Sequence, residues 1–160
     1  FRRVLFRSPD DEEYSLNHGT MFYKAIKNGI VDPTKSVQIG IRTWNDDFMG
    51  TNILDAQYVH DNGWQKVVER IREIVGDNLV YLTFDVDSLD PAYAPGTGTP
   101  VPGGLSSLQA LAIIRNLGGL NFIGADVVEV APSYDHAEIT ALAAAHVARD
   151  IICLLANQQP

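Results

Sequence analysis

Two aspartates, Asp85 and Asp87, are the residues in this sequence best placed to do chemistry. They stand in Leu82-Thr83-Phe84-Asp85-Val86-Asp87-Ser88-Leu89-Asp90-Pro91, which continues the apolar run Leu79-Val80-Tyr81-Leu82. The run reads as a buried strand, preceded by Gly76-Asp77-Asn78 and stopped at Pro91. Side chains alternate along a strand, so Asp85 and Asp87 are expected on one face and Phe84 and Val86 on the other. Neighbouring carboxylates in a sheet interior repel and are poorly solvated; they call for a proton or a cation between them. Oxygen ligands suit manganese or magnesium. Asp-x-Asp is also a short pattern that recurs by chance, and the alternative is a strand end whose carboxylates face water.

The stretch that follows, Ala94-Pro95-Gly96-Thr97-Gly98-Thr99-Pro100-Val101-Pro102-Gly103-Gly104, is long, irregular and almost free of charge. Loops of this size without secondary structure are usually functional or disordered. Proline fixes φ and glycine opens conformations closed to other residues, so the stretch reads as one wall of a site. Glu129 lies near the end of another apolar strand, before Ala131-Pro132; read by itself, it is a strand-end glutamate facing solvent. His18, in Asn17-His18-Gly19-Thr20, reads by itself as an ordinary loop histidine. His60 and His146 read as structural or solvated, and His136 as exposed. Asp90 is expected to fix the turn before Pro91 through local backbone bonds. Asp126, inside a strand, reads either as a support for the site or as an arginine's partner.

These phrases together resemble the carboxyl-terminal signature of the ureohydrolase family, the arginases, agmatinases and their relatives. The resemblance is carried by residues 84–91, by Pro95-Gly96-Thr97-Gly98-Thr99-Pro100 and by Gly103-Gly104, and it runs from about His18 to the last helix. Three further phrases place it in the agmatinase branch: His18-Gly19-Thr20-Met21-Phe22-Tyr23, Ser36-Val37-Gln38-Ile39-Gly40-Ile41-Arg42-Thr43 and Val127-Val128-Glu129-Val130-Ala131-Pro132. The resemblance implies that Asp85 and Asp87 are ligands of a binuclear manganese centre, which holds hydroxide for attack on a guanidinium carbon. It implies that Glu129 grips the guanidinium, that Thr99 lies near this contact, and that His18 protonates the leaving amine or helps position the substrate. The implied reaction converts agmatine to putrescine and urea, a step of polyamine biosynthesis. A guanidino acid such as guanidinobutyrate is the alternative substrate, and a non-catalytic polyamine-binding α/β domain the alternative function. The implied partners are a small cationic guanidino substrate and, in the complete enzyme, further copies forming a trimer or hexamer.

The family's two earlier metal motifs, of Gly-Gly-Asp-His and Asp-x-His-x-Asp type, do not occur in this sequence. Residues 9–160 are therefore expected to be the C-terminal part of a single ureohydrolase domain, incomplete at its N-terminus and inactive alone. Residues 1–8, Phe1-Arg2-Arg3-Val4-Leu5-Phe6-Arg7-Ser8, match a translated sequencing adapter and read as a cloning or assembly scar.

The elements that must position these residues alternate between strand and helix. Helices are expected over 20–28, closed by Gly29, and from Asp61 to about Val75, ended by Gly76. Two more are expected from Ser106 to Asn116 and from Asp135 onward, each opened by a capping box, Ser106 with Gln109 and Asp135 with Glu138. Strands are expected over 36–43, 53–59 and 122–130, besides the one bearing Asp85. Such alternation predicts a parallel sheet covered by helices, the three-layer α/β/α architecture of the arginases. Ligands of such sheets sit at the carboxyl ends of strands, where both Asp87 and Glu129 lie.

Composition bounds the rest. The 160 residues are 46% hydrophobic and 20% charged, as in a soluble globular domain. A net charge of -8 argues against a nucleic-acid surface and mildly favours a cationic substrate. Cys153 is the single cysteine, which fits a reducing cytoplasm; its place in an apolar helix makes it an expected core residue. The apolar stretch from Ile139 is interrupted by His146, Arg149 and Asp150, so no membrane span is expected.

Overall fold

In a computed structural model, residues 19–43 and 47–158 are described. Parallel strands alternate with helices, the α/β arrangement expected from the sequence. A first helix, α1 (Met21–Lys27), ends where Gly29 takes φ +69°. β1 (Val37–Ile39) then pairs in parallel with β2 (Asn52–Leu54). β1 is shorter than the strand expected over 36–43. Gly40 stops it with φ +81°, in a space where a Cβ would stand 2.7 Å from the Leu105 side chain.

The strand expected over 53–59 forms only at its start, in β2; α2 (Ala56–Val75) takes the rest and begins ahead of the expected helix start at Asp61. Asp55 is its N-cap and accepts a hydrogen bond from the Tyr58 amide at 2.7 Å. Asp61 lies inside the helix, just before a kink at Gly63, whose φ of 76° and ψ of 162° are open to glycine. Val59, Val67, Val68, Ile71 and Val75 form the buried face of α2, at the centre of the main core.

β3 (Leu79–Asp85) pairs in parallel with β4 (Asn121–Val128), with a register irregularity between Val80 and Tyr81. Val80, Leu82 and Phe84 turn inward and pack against the cores built by α2, α3 (Ser107–Arg115) and α4 (Ile139–Ala156). Among the described residues, the opposite face of this pair leaves Leu79, Tyr81 and Ile123 exposed. There Asp126 accepts bonds from the Tyr81 hydroxyl at 2.9 Å and the Thr83 hydroxyl at 2.5 Å. Its partners are thus hydroxyls rather than an arginine.

α3 opens with the expected capping box: Ser106 Oγ accepts from the Gln109 amide, and Gln109 Oε1 accepts from the Ser106 amide. α4 does not. Glu138, its N-cap, stands in the left-handed region at φ 57° and makes no side-chain cap bond. Asp135 alone caps the helix, accepting from the amides of Thr140 and Ala141 at 2.9 Å each. α4 is long and apolar enough to cross a membrane by length and composition. Here Thr140, Ala144, Val147, Asp150 and Ile151 are buried, and Asp150 pairs with Arg115 at 2.6 Å. Cys153, expected in the core, is exposed. An apolar helix does not reveal by composition which of its faces is covered.

The two candidate starts of α2 make different predictions. Asp55→Ala removes a cap bond and should cost about 1 kcal/mol in urea unfolding. Asp61→Ala should change stability by about 0.5 kcal/mol or less. The reverse ranking would mean that α2 begins after the kink.

Candidate active site

Asp85 is the last residue of β3, and the strand gives way there to a short 3-10 turn, Val86–Ser88. Asp87 therefore sits on the turn. The two carboxylates converge by this bend, not by alternation along one strand, as the sequence suggests. The bend is held locally: Asp85 Oδ1 accepts from the Asp87 amide at 3.0 Å, and the Asp85 carbonyl accepts from the Ser88 hydroxyl at 2.7 Å. Val86 is fully buried and anchors the turn in the core.

Asp87 is 1% exposed. Its Oδ2 accepts from the Thr99 hydroxyl at 3.0 Å, while its Oδ1 is buried with no hydrogen-bond partner among the described residues. Burial, and then the charge of Asp87, push the Asp85 carboxyl up to about 8, and the nearby charge of Glu129 adds to this. Burial raises Asp87 as well, against the Thr99 hydroxyl and the positive charge of Arg42. An orphaned oxygen beside a carboxyl that resists ionising fits a hard divalent cation with oxygen preference, such as manganese or magnesium. Among the described residues no third His, Cys, Asp or Glu completes a metal cluster with them.

β3 and β4 end side by side. Asp85 is the register partner of Val128, so Glu129 follows directly at the edge of the same site. Glu129 takes φ 67°, the left-handed region, and this ends β4 two residues earlier than the sequence suggests. Strain of this kind in a non-glycine residue costs roughly 1–3 kcal/mol and clusters at functional sites.

The proline- and glycine-rich loop is tied down at both ends and along its length. Asp90 Oδ1 accepts from the Ala92 amide at 2.9 Å; its Oδ2 accepts from the amides of Gly103 at 2.7 Å and Gly104 at 3.3 Å. The turn expected of Asp90 is there, and the same carboxylate also closes the loop. Leu105 bonds through its backbone to Ser88 and Asp90. Gly104 lies so close to this turn that a Cβ would stand 2.5 Å from the Leu89 carbonyl carbon and the Asp90 nitrogen. Farther along, Gly96 accepts from the Ala131 amide at 2.8 Å and donates to the Thr140 hydroxyl at 2.7 Å. The loop is thereby fastened to the segment just after Glu129.

The structure thus brings Asp85, Asp87, Thr99 and Glu129 to one end of the β3–β4 pair. His18 lies outside the described residues. His60, expected to be structural, donates from Nε2 to the Gly104 carbonyl at 3.2 Å and meets the Gln109 side chain at 3.4 Å. His136 and His146 are exposed. The residue that sequence reasoning missed is Arg42, whose guanidinium reaches the carbonyls of Asp87 and Val101 at 2.6 Å each. Its one signal was its place after Gly40-Ile41 in a phrase already noted for its family resemblance.

A model of the arginase family matches residues 6–154. The chain belongs to the arginase family. It is 66% identical over 151 residues to an agmatinase of Chromobacterium violaceum, covering 94% of this chain and 47% of that one. A solved structure described as a hypothetical agmatinase from Burkholderia thailandensis superposes with a TM-score of 0.88 at 68% identity, over 91% of this chain and 46% of the other. The proclavaminate amidino hydrolase of Streptomyces clavuligerus superposes with a TM-score of 0.83 at 42% identity, over 87% and 48%. The chain spans about half the length of the arginase-family relatives it matches. The chain is similar to proteins named agmatinase at 57–68% identity, and it shares the fold of such a protein over the part that it matches.

The carboxylate pair sets a pH dependence. A carboxyl raised in the folded state favours folding below its unfolded value, 3.8, and that contribution is lost as pH climbs toward about 8. Asp90 and Asp135 are held below their usual range by backbone amides, so they weaken the fold only at lower pH. The metal-free chain should therefore lose stability between these two limits, and manganese should restore it at the upper one. Asp85→Asn should flatten the loss, by on the order of 2 kcal/mol, and abolish the manganese effect. Thermal melts across that range, with and without manganese, check this; a pH-independent difference between parent and variant would contradict it. Gly104→Ala, which drives a methyl into the backbone of the turn, should cost about 2–3 kcal/mol in urea unfolding. An unchanged midpoint would contradict the packing of the loop on the turn.

Proposed function

We propose that residues 9–160 are the C-terminal part of a manganese-dependent agmatinase, and that the whole protein hydrolyses agmatine to putrescine and urea. The observation that carries this reading is Asp87, buried with one carboxylate oxygen unpartnered beside an Asp85 that burial keeps from ionising. The likeness to proteins named agmatinase supports the choice of substrate.

In this reading Asp85 and Asp87 are ligands of a binuclear centre whose other ligands belong to the remainder of the whole protein. Manganese held there supplies Lewis-acid activation of water for attack on the guanidinium carbon. Thr99 holds Asp87 Oδ2, which leaves the opposite oxygen for the metal, and its loop forms a wall of the substrate site. Glu129 accepts N–H groups of the guanidinium, a planar fork that a carboxylate matches well. His18 delivers a proton to the leaving amine nitrogen as the C–N bond breaks; water's oxygen ends in urea, and its two hydrogens and the guanidinium's charge end on the departing ammonium. A cytoplasmic location, and a trimer or hexamer of the whole protein, belong to the same reading.

A second reading keeps the chemistry and changes the substrate to a guanidino acid. The likeness to an amidino hydrolase named for proclavaminate favours keeping it in the test.

Joining residues 9–160 to the half of the Chromobacterium violaceum agmatinase that they do not match supplies the test. With manganese, that protein should release urea and putrescine from agmatine, and the chain alone should release little. Glu129→Gln should lower kcat/KM by roughly 30-fold or more, since it removes one partner of a buried charge pair. Urea from guanidinobutyrate but not from agmatine would select the second reading; manganese binding without any hydrolysis would select a binding domain.

A further inference from the structure

Arg42 is half-buried, and among the described residues its hydrogen bonds all run to backbone carbonyls. Nε donates to Val101 at 2.9 Å. Nη2 reaches Val101 and Asp87 at 2.6 Å each and Leu89 at 3.3 Å. Nη1 reaches Gly40 at 3.4 Å. One rigid fork thus spans three chain segments: its own, the turn that carries Asp87, and the proline- and glycine-rich loop. Val101 itself lies between two prolines that donate no hydrogen bonds, with the Thr99–Asp87 and Gly103–Asp90 bonds on either side.

We propose that Arg42 is a positioning residue, a clamp that fixes the loop at Val101 onto the Asp87 turn and so sets the distance between Thr99 and the carboxylate it holds. Burial works against the charge of the guanidinium and lowers its pKa, and the attraction of Asp87, Asp90 and Asp85 offsets this only in part. Charge alone does not explain the arrangement. A lysine nitrogen carries the same charge and could reach Val101 and Asp87 as Nη2 does, but it lacks the Nε–H that holds the Val101 carbonyl a second time and the Nη1 that turns back to Gly40. Gly40 completes the design: a side chain there would collide with Leu105, so the chain passes close enough for Arg42 to reach under the loop. The clamp deepens the proposed metal site and, for its manganese arm, rests on that reading.

Amide hydrogen exchange on the 160-residue chain, without metal, tests the clamp separately from the function. In Arg42→Lys the amides of Gly103, Gly104 and Leu105 should exchange about tenfold faster or more, with those of β3 and β4 unchanged. In the unmodified chain, the Arg42 Nε–H should give a slowly exchanging NMR resonance close in space to residue 101, a readout that does not depend on a variant folding. Electron paramagnetic resonance of free manganese supplies the second arm, on residues 9–160 joined to the rest of the agmatinase as above: there Arg42→Lys should weaken retention of the ion by about tenfold or more. Loop amides that exchange as in the parent, or acceleration spread evenly over the sheet, would overturn the clamp. So would an Arg42 Nε–H that exchanges freely with solvent. If the parent retains no manganese while the loop amides respond as expected, the metal reading fails and the clamp stands.

Discussion

Two carboxylates are forced together at the buried end of a parallel strand pair, and most of the surrounding structure follows from that constraint. Water solvates a carboxylate far better than a protein interior does, so burying Asp87 next to Asp85 works against folding. The fold accepts this because Val86 and Leu89, on either side of Asp87, are themselves deep in the core. The apolar side chains pull the turn inward and the acids go with it. What is lost in solvation is held as a preference for positive charge at a defined point.

That point is enclosed by backbone rather than by bulky side chains. Gly104 touches the turn, Asp90 gathers the amides of Gly103 and Gly104, and Gly96 fastens the loop to the segment beyond Glu129. The loop so held presents the Thr99 hydroxyl to Asp87. Beneath it, β4 ends in a left-handed Glu129, a conformation that cooperative fastening on both sides can sustain. Helices α2, α3 and α4 pack on the inner face of the strands, and the site lies at the strand ends, where function can be built without disturbing the core.

Local features were legible in the sequence wherever the interactions are local. The Ser106–Gln109 box spans three residues and forms as read. The Gly29 stop does too. Errors arose where two local signals compete: Asp55 and Asp61 are both competent caps, and Gly63 between Asp61 and the apolar run marks a kink rather than a start. The pairing of Asp85 with Asp87 was visible from spacing, but its geometry was not, because a strand and a strand followed by one tight turn share the same two-residue interval. Arg42 was invisible for a different reason. Its shortest bonds go to carbonyls 45 and 59 residues away, and a carbonyl leaves no mark in a sequence. The exposed place of Cys153 was hidden likewise, since α4 is apolar on more than the face it buries.

Burial is expected to keep a proton on the Asp85–Asp87 pair at neutral pH until a divalent cation displaces it. Infrared spectroscopy reads this directly, through the carbonyl stretch of a protonated carboxyl group. Such a band should be present in the metal-free chain at neutral pH, be lost on binding manganese, and be absent from Asp85→Asn throughout. A metal-free chain with no protonated carboxyl, or a band that persists once manganese is bound, would contradict it.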